Sequence, residues 1–214
     1  MPLQNRVTPT GTIIATPARG TMYGNRGGCF HNDDKTLKPR HWASKQWICC
    51  VLDFKDRRRA MMQPGRFTEL FFLDEATALA AGHRPCFECR RADATRFAEF
   101  WLAAHGGEEK SGRASAAAMD DVLHRARLRP NGQSSLWAGP VERLPDGAFI
   151  RLLGAPYLLC GPWLYPWTPA GYGAPIPKLS GTEASLVPIL TPLPMIAVIE
   201  RGYRPMLHPT ASPI

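Results

Sequence analysis

Cys86 and Cys89 stand two residues apart in Arg-Pro-Cys-Phe-Glu-Cys-Arg-Arg, residues 84–91. This spacing lets two thiolates grip one tetrahedral Zn²⁺, and such a turn ahead of a helix is half of a zinc site. Three candidates compete for the other half: Cys29, His31 and the Cys49–Cys50 pair. Adjacent strand residues point to opposite faces, so at most one of Cys49 and Cys50 can face a metal. Buried strand cysteines are more often plain core residues. Cys29-Phe30-His31 follows Gly27-Gly28, a bend able to bring a thiolate and an imidazole to one point. The expected centre is therefore Cys29, His31, Cys86 and Cys89 around Zn²⁺, with Cys50 the alternate for Cys29 or His31. The competing reading is a Cys-x-x-Cys that binds nothing, as a redox pair or a chance spacing.

Other residue sets have chemistry to offer. In Phe-Thr-Glu-Leu-Phe-Phe, Glu69 alternates with Phe67 and Phe71 and so shares a strand face with two aromatics. A carboxylate there has to be paired or functional: an ion pair with an Arg is the expected arrangement, a general base the other. Asp120 and His124 lie four residues apart on a helical stretch and share a face, as a surface pair or as a proton-transfer or metal pair. Arg57, Arg58, Arg59, Arg84, Arg90 and Arg91, with Arg96, can form a phosphate-binding rim around the cysteine turn, or a solvated surface. Trp163, Trp167 and Tyr172, with Tyr165, sit among prolines and glycines, where rigid rings stack bases or line a ligand pocket, or else cover a small β core.

The elements that must position these residues follow from pattern. Residues 1–10 read as a loose lead-in, 11–16 as a short strand, and 32–45 as an exposed loop. The apolar run 47–54 is a buried strand, 60–62 the start of a partner, and 67–73 a further strand. Asp74 is an N-cap, with a helix running from Glu75 to a terminating Gly82. A second helix runs from Cys89 to about Ala104, where Phe97, Phe100, Trp101 and Ala104 form the core stripe. A linker at 105–115 precedes a third helix over 116–128. Beyond it, short runs between Gly/Pro turns predict a β-rich region, with 162–177 as an aromatic loop and a last helix over 192–201. The division is thus 1–104, a zinc-binding module; 105–115, a linker; and 116–214, a helix plus β-rich region.

Composition bounds the classes. With 214 residues, 44% hydrophobic and 21% charged, the chain can bury a substantial core. The 21 Pro and 19 Gly predict short elements and many turns and argue against a helical bundle. The net charge is +8, of which residues 1–100 hold +6, so the half with the cysteine turn is the basic one and a polyanionic partner is expected. Six cysteines without a secretory leader in the opening residues favour metal over disulfides and a reducing, cytoplasmic setting. No apolar run approaches the roughly 18 residues of a membrane span.

Glu75, Ala76, Ala80, Ala81, Gly82, Arg84, Pro85, Cys86 and Cys89 carry a resemblance. The segment is similar to the second half of the Ada-type zinc-binding module, found in the bacterial alkylation-repair protein Ada and in relatives that accompany competence-type DNA-uptake proteins and nucleases. The resemblance spans about residues 20–104, with His83 in place of the usual aromatic and Cys-x-His where the family has Cys or His, three residues, then Cys. The chain as a whole also resembles a family of small bacterial proteins, which adds no activity to this reading. The resemblance implies an Ada-like, treble-clef-like α+β module, Zn²⁺, and contact with DNA. It also implies a methyl-accepting thiolate, which would be Cys29. Exchanging a thiolate for a neutral imidazole weakens attack on a methyl carbon, so a structural or DNA-docking zinc is the expectation. The sequence-level function is a zinc-stabilised nucleic-acid-binding protein, possible as a DNA repair or processing accessory. The alternative is an enzyme using Glu69, Asp120 or His124 beside the aromatic loop.

Overall fold

The computed structural model describes residues 1–55, 60–106, 114–128, 137–180 and 186–211. The described residues form two sheets and four α-helices, a mixed α+β fold. The first sheet has six strands: β1 (Gln4–Val7), β2 (Ile13–Ala15), β3 (Met22–Arg26), β4 (Trp47–Val51), β5 (Leu70–Phe72) and β6 (Arg84–Pro85). Their spatial order is β2-β1-β5-β3-β4-β6. The stretch expected as a loose lead-in thus supplies β1, which runs parallel to β5. The apolar run of β4 stops at Val51, and residues 60–62 form a turn and add no strand.

Period-two alternation sorts the sheet into two faces. Met22, Trp47, Cys49, Leu70 and Phe72 are buried on one, packed with Ala78 and Ala81 beneath the helix α1 (Glu75–Ala80). Tyr23, Asn25, Ile48, Cys50 and Phe71 lie on the other, which lines a cleft. Close approach of β3 and β4 requires glycine at position 24, where a Cβ would stand 2.1 Å from the Ile48 carbonyl oxygen.

Asp74 caps α1 as expected, its carboxylate accepting from the Thr77 amide at 2.8 Å, and Gly82 ends the turn at φ +82°. Helix α2 (Arg91–His105) packs against α4 (Leu193–Glu200) through Phe97, Ala98, Trp101, Met195 and Ile199. Helix α3 (Ala116–Arg127) is capped by Ser115 and adds Met119 and Leu123 to the same cluster.

The second sheet contains β7 (Trp137–Gly139), β8 (Phe149–Leu152), β9 (Ala155–Cys160), β10 (Trp163–Thr168), β11 (Gly171–Tyr172), β12 (Ile176–Pro177) and β13 (Val187–Ile189), in the order β11-β10-β9-β8-β13-β7 with β12 on β10. The expected aromatic loop is therefore largely strand β10. Buried side chains cross the expected division at 105–115. Leu73, Ala76 and Ala80 pack with Phe149, Leu158 and Tyr165. Among the described residues no helix is long and apolar enough to cross a membrane.

Candidate metal centre

Three cysteines meet where β4, β6 and the start of α2 converge. β6 runs parallel to β4 with Ile48 beside Arg84 and Cys49 beside Pro85, so the next pair along the ladder is Cys50 and Cys86. The Cys86 amide donates to the Cys49 carbonyl at 3.0 Å, which fixes this register. The chain then turns tightly, Arg90 N donating to the Cys86 carbonyl at 3.0 Å, and delivers Cys89 to the same point. The ligand atoms of Cys50, Cys86 and Cys89 lie within 4.8 Å of one another. A tetrahedral centre with Zn–S arms of about 2.3 Å has edges of about 3.8 Å, so shifts of an ångström or less would complete it. The Glu88 amide already points at Cys86 Sγ, 3.4 Å away, an interaction that favours a thiolate.

The three thiols are strongly coupled. Hydrogen bonding with Cys50 and Cys89 pulls the Cys86 thiol far below its ordinary value, while hydrogen bonding with Cys86 and Cys89, joined by burial, pushes Cys50 far above it. Three clustered sulfurs cannot all ionise unaided, and a divalent metal removes that restriction. Among the described residues no further His, Cys, Asp or Glu joins the three. Three protein ligands and one open position is the pattern of an accessible metal site.

Cys50, Cys86 and Cys89 line a cleft of about 230 Å³ on the second face of the first sheet. Cys50, Tyr23 and Phe71 form one cross-strand row, since Tyr23 is paired with Cys50 on one side and with Phe71 on the other. Asn25, Glu69 and Phe67 also line the cleft. Glu69 shares its face with Phe67 and Phe71 as the alternation required. In place of the expected arginine, its carboxylate accepts from the Met62 amide at 2.7 Å. Tyr23 and Asn25 went unnoticed in the sequence, although the alternation in Met-Tyr-Gly-Asn-Arg would have placed them opposite the buried Met22 and Gly24.

The expected ligands Cys29 and His31 are not brought to Cys86 and Cys89. Gly27 and Gly28, at φ +77° and +156°, turn the chain toward residues 63–68, on the β5 side of β3, whereas Cys86 and Cys89 lie beyond β4 on the other side. His31 is already committed there: Nε2 donates to the Gln63 carbonyl at 3.2 Å and Nδ1 accepts from the Thr68 hydroxyl at 2.7 Å. Cys29 Sγ lies 3.8 Å from His31 Nδ1, a local pair. The alternate, Cys50, takes their place.

Two arginines of the expected basic rim, Arg84 and Arg90, turn inward. Arg84 is 1% exposed and makes a bidentate pair with Asp120, at 2.9 and 2.7 Å. Arg90 is buried between Glu75 and Asp93, 2.9 Å from each. Arg91 and Arg96 are exposed, and Arg57, Arg58 and Arg59 lie outside the described residues. Asp120 thus serves Arg84 and not His124, whose ring instead packs edge-on to Trp42. Neither residue lines the cleft. Tyr172 donates to Asp74 at 2.7 Å, Trp167 Nε1 donates to Thr77 Oγ1 at 3.1 Å, and Trp163 packs in the same cluster, so the three rings fasten the second sheet to α1. No protein-family model, no curated protein and no solved structure matches the chain.

Proposed function

We propose that Cys50, Cys86 and Cys89 bind Zn²⁺ and that the chain uses the metal-walled cleft to bind an unpaired stretch of nucleic acid. Thiolate ligands in a closed turn favour zinc among the common divalent ions. The ion would tie β4, β6 and the start of α2 together and leave its fourth position toward the cleft. The single observation that carries the reading is the row Cys50, Tyr23 and Phe71, which sets a cysteine cluster beside half-buried rings that line the cleft. Rings on a sheet stack bases, and neighbouring polar groups such as Asn25 and Glu69 read their edges. The net charge of +8 supplies the attraction to phosphate. Similarity of residues 74–91 to the Ada-type module favours DNA as the polymer and repair or processing as the setting.

The test is anisotropy with a short labelled single strand and its duplex, at about 50 and 200 mM salt. The wild type should prefer the single strand and weaken steeply with salt. Tyr23→Ala should weaken binding by about 1–3 kcal/mol, and chelation of zinc should weaken it too. Absence of single-strand binding at low salt, or indifference to Tyr23→Ala, would refute the proposal.

Glu69 favours a second reading, metal-assisted hydrolysis in the same cleft. The strand registers place Glu69 two strands and two residues from Cys50, roughly 12 Å between backbones. That separation suits a group holding the far side of a bound molecule better than one sharing a water with the metal. Zinc-dependent turnover lost in Glu69→Gln, with strand binding retained, would favour this second reading.

A further inference from the structure

The cross-strand row does not end at Phe71. On its other side Phe71 is paired with Arg6 of β1, so Cys50, Tyr23, Phe71 and Arg6 run straight across four adjacent strands. The Arg6 guanidinium lies over the Phe71 ring, 4.6 Å from its centroid. Its Nε donates to the Ala18 carbonyl at 2.7 Å and its Nη1 to the Asn5 side chain, which fixes the fork and leaves Nη2 without an acceptor among the described residues. Beside it opens a second cavity of about 360 Å³, lined by Arg6, Arg19, Asn5 and Thr16 among others. Leu52, Met61 and Phe71 line both cavities, so the two are neighbours on one sheet face.

The charges here are one-sided. Among the described residues no carboxylate lines the second cavity, and neither Arg6 nor Arg19 has an acidic partner. Burial, and then the charge of Arg19, make the Arg6 guanidinium harder to keep protonated, which is the condition an anion would relieve.

We infer that Arg6 and Arg19 form a phosphate subsite at the far end of the cleft, and that the occupant is an oligonucleotide and not a mononucleotide. The inference rests on the nucleic-acid reading above and deepens it. Three strand spacings separate Cys50 from Arg6, about 14 Å. A group seated at the sulfurs and a phosphate seated at the arginines therefore belong to more than one nucleotide unit. A planar fork held in place by two side-chain bonds suits phosphate better than a mobile ammonium does.

The experiment compares wild type, Arg19→Gln and the double variant Arg6→Gln/Arg19→Gln in binding a short single strand and a nucleoside monophosphate across salt concentrations. Zinc content and thermal unfolding serve as checks on folding. Arg19 is exposed and has no hydrogen-bond or ion-pair partner among the described residues, so Arg19→Gln should fold as the wild type does. The expected result is a salt slope lower by about one in Arg19→Gln and about two in the double variant, with monophosphate binding weaker than the strand's by an order of magnitude or more in the wild type. A wild type that binds no strand would remove the cleft reading and this inference together. A wild type that binds the strand while Arg19→Gln and the double variant keep its slope would remove the phosphate subsite alone. Equal affinity for monophosphate and strand would remove the two-nucleotide span.

Discussion

Cys50→Ser tests the metal centre at the residue that distinguishes it from every other arrangement of the cysteines. Structural zinc in small four-ligand sites is bound by about 10–16 kcal/mol, or roughly 3–4 kcal/mol for each ligand. Loss of one of three sulfurs should thus weaken zinc by about 3 kcal/mol, or two orders of magnitude. If the wild type is held at about 100 times its dissociation constant, zinc stabilises it by about 2.7 kcal/mol, and a hundredfold weaker variant keeps only about 0.4 kcal/mol. The difference of about 2.3 kcal/mol corresponds to about 5–9 °C in melting temperature for a chain of this size. Elemental analysis after dialysis and thermal unfolding with and without a chelator would measure both quantities.

Two neighbours make the test specific. Cys29→Ser should keep its zinc, since Cys29 lies with His31 on the β5 side of β3. Cys49→Ser should also keep its zinc yet lose about 1–3 kcal/mol in zinc-free buffer, because Cys49 is wholly buried on the opposite face, where a hydroxyl is costly. Full zinc retention by Cys50→Ser, or zinc loss in Cys29→Ser, would refute the assignment.

Three further outcomes follow from the interior. Asp120→Asn should cost about 3–5 kcal/mol in denaturant unfolding, because Arg84 then stays buried without its carboxylate; replacing both residues by apolar ones should recover most of the loss. Arg90→Ala should cost a similar amount, since it strands the buried Glu75, whereas Arg91→Ala should stay within about 0.5 kcal/mol of wild type. His83 is held neutral well below its ordinary value, by burial first and then by the charges of Arg26 and Arg127. Its contribution is therefore fully present above about pH 6.5, the unfolded value, and is lost as pH falls, by up to about 1.4 kcal/mol per pH unit. Unfolding of His83→Phe followed from pH 7 to 5 should show a slope flatter by up to one proton.

What the sequence makes legible is local. Asp74, Glu75 and Gly82 bracket α1 within nine residues, and the turn carrying Cys86 and Cys89 folds on itself, so both are visible without knowing what lies across the sheet. β1 and β10 are not. Gln-Asn-Arg-Val has little apolar signal of its own and becomes a strand between two partners, β2 close by and β5 more than sixty residues later. Pro166 disguises β10, although the strand pairs with β9 through four successive residues. Likewise Arg84 and Arg91 look alike in sequence, and only the position of Asp120 on α3 decides that one is interior and the other exposed.

The same limit governs the site. The sequence offered Cys50 only as an alternate, because a one-residue slip would exchange it with Cys49; β6 fixes which face of β4 meets Cys86. Cys50, Tyr23, Phe71 and Arg6 come one from each of four strands, and no two are close in sequence. A constellation with one residue per strand exists only as a consequence of register. That is why a change such as Gly24→Ala, whose Cβ would press on the Ile48 carbonyl between β3 and β4, should disturb zinc and strand binding together without touching a single lining side chain.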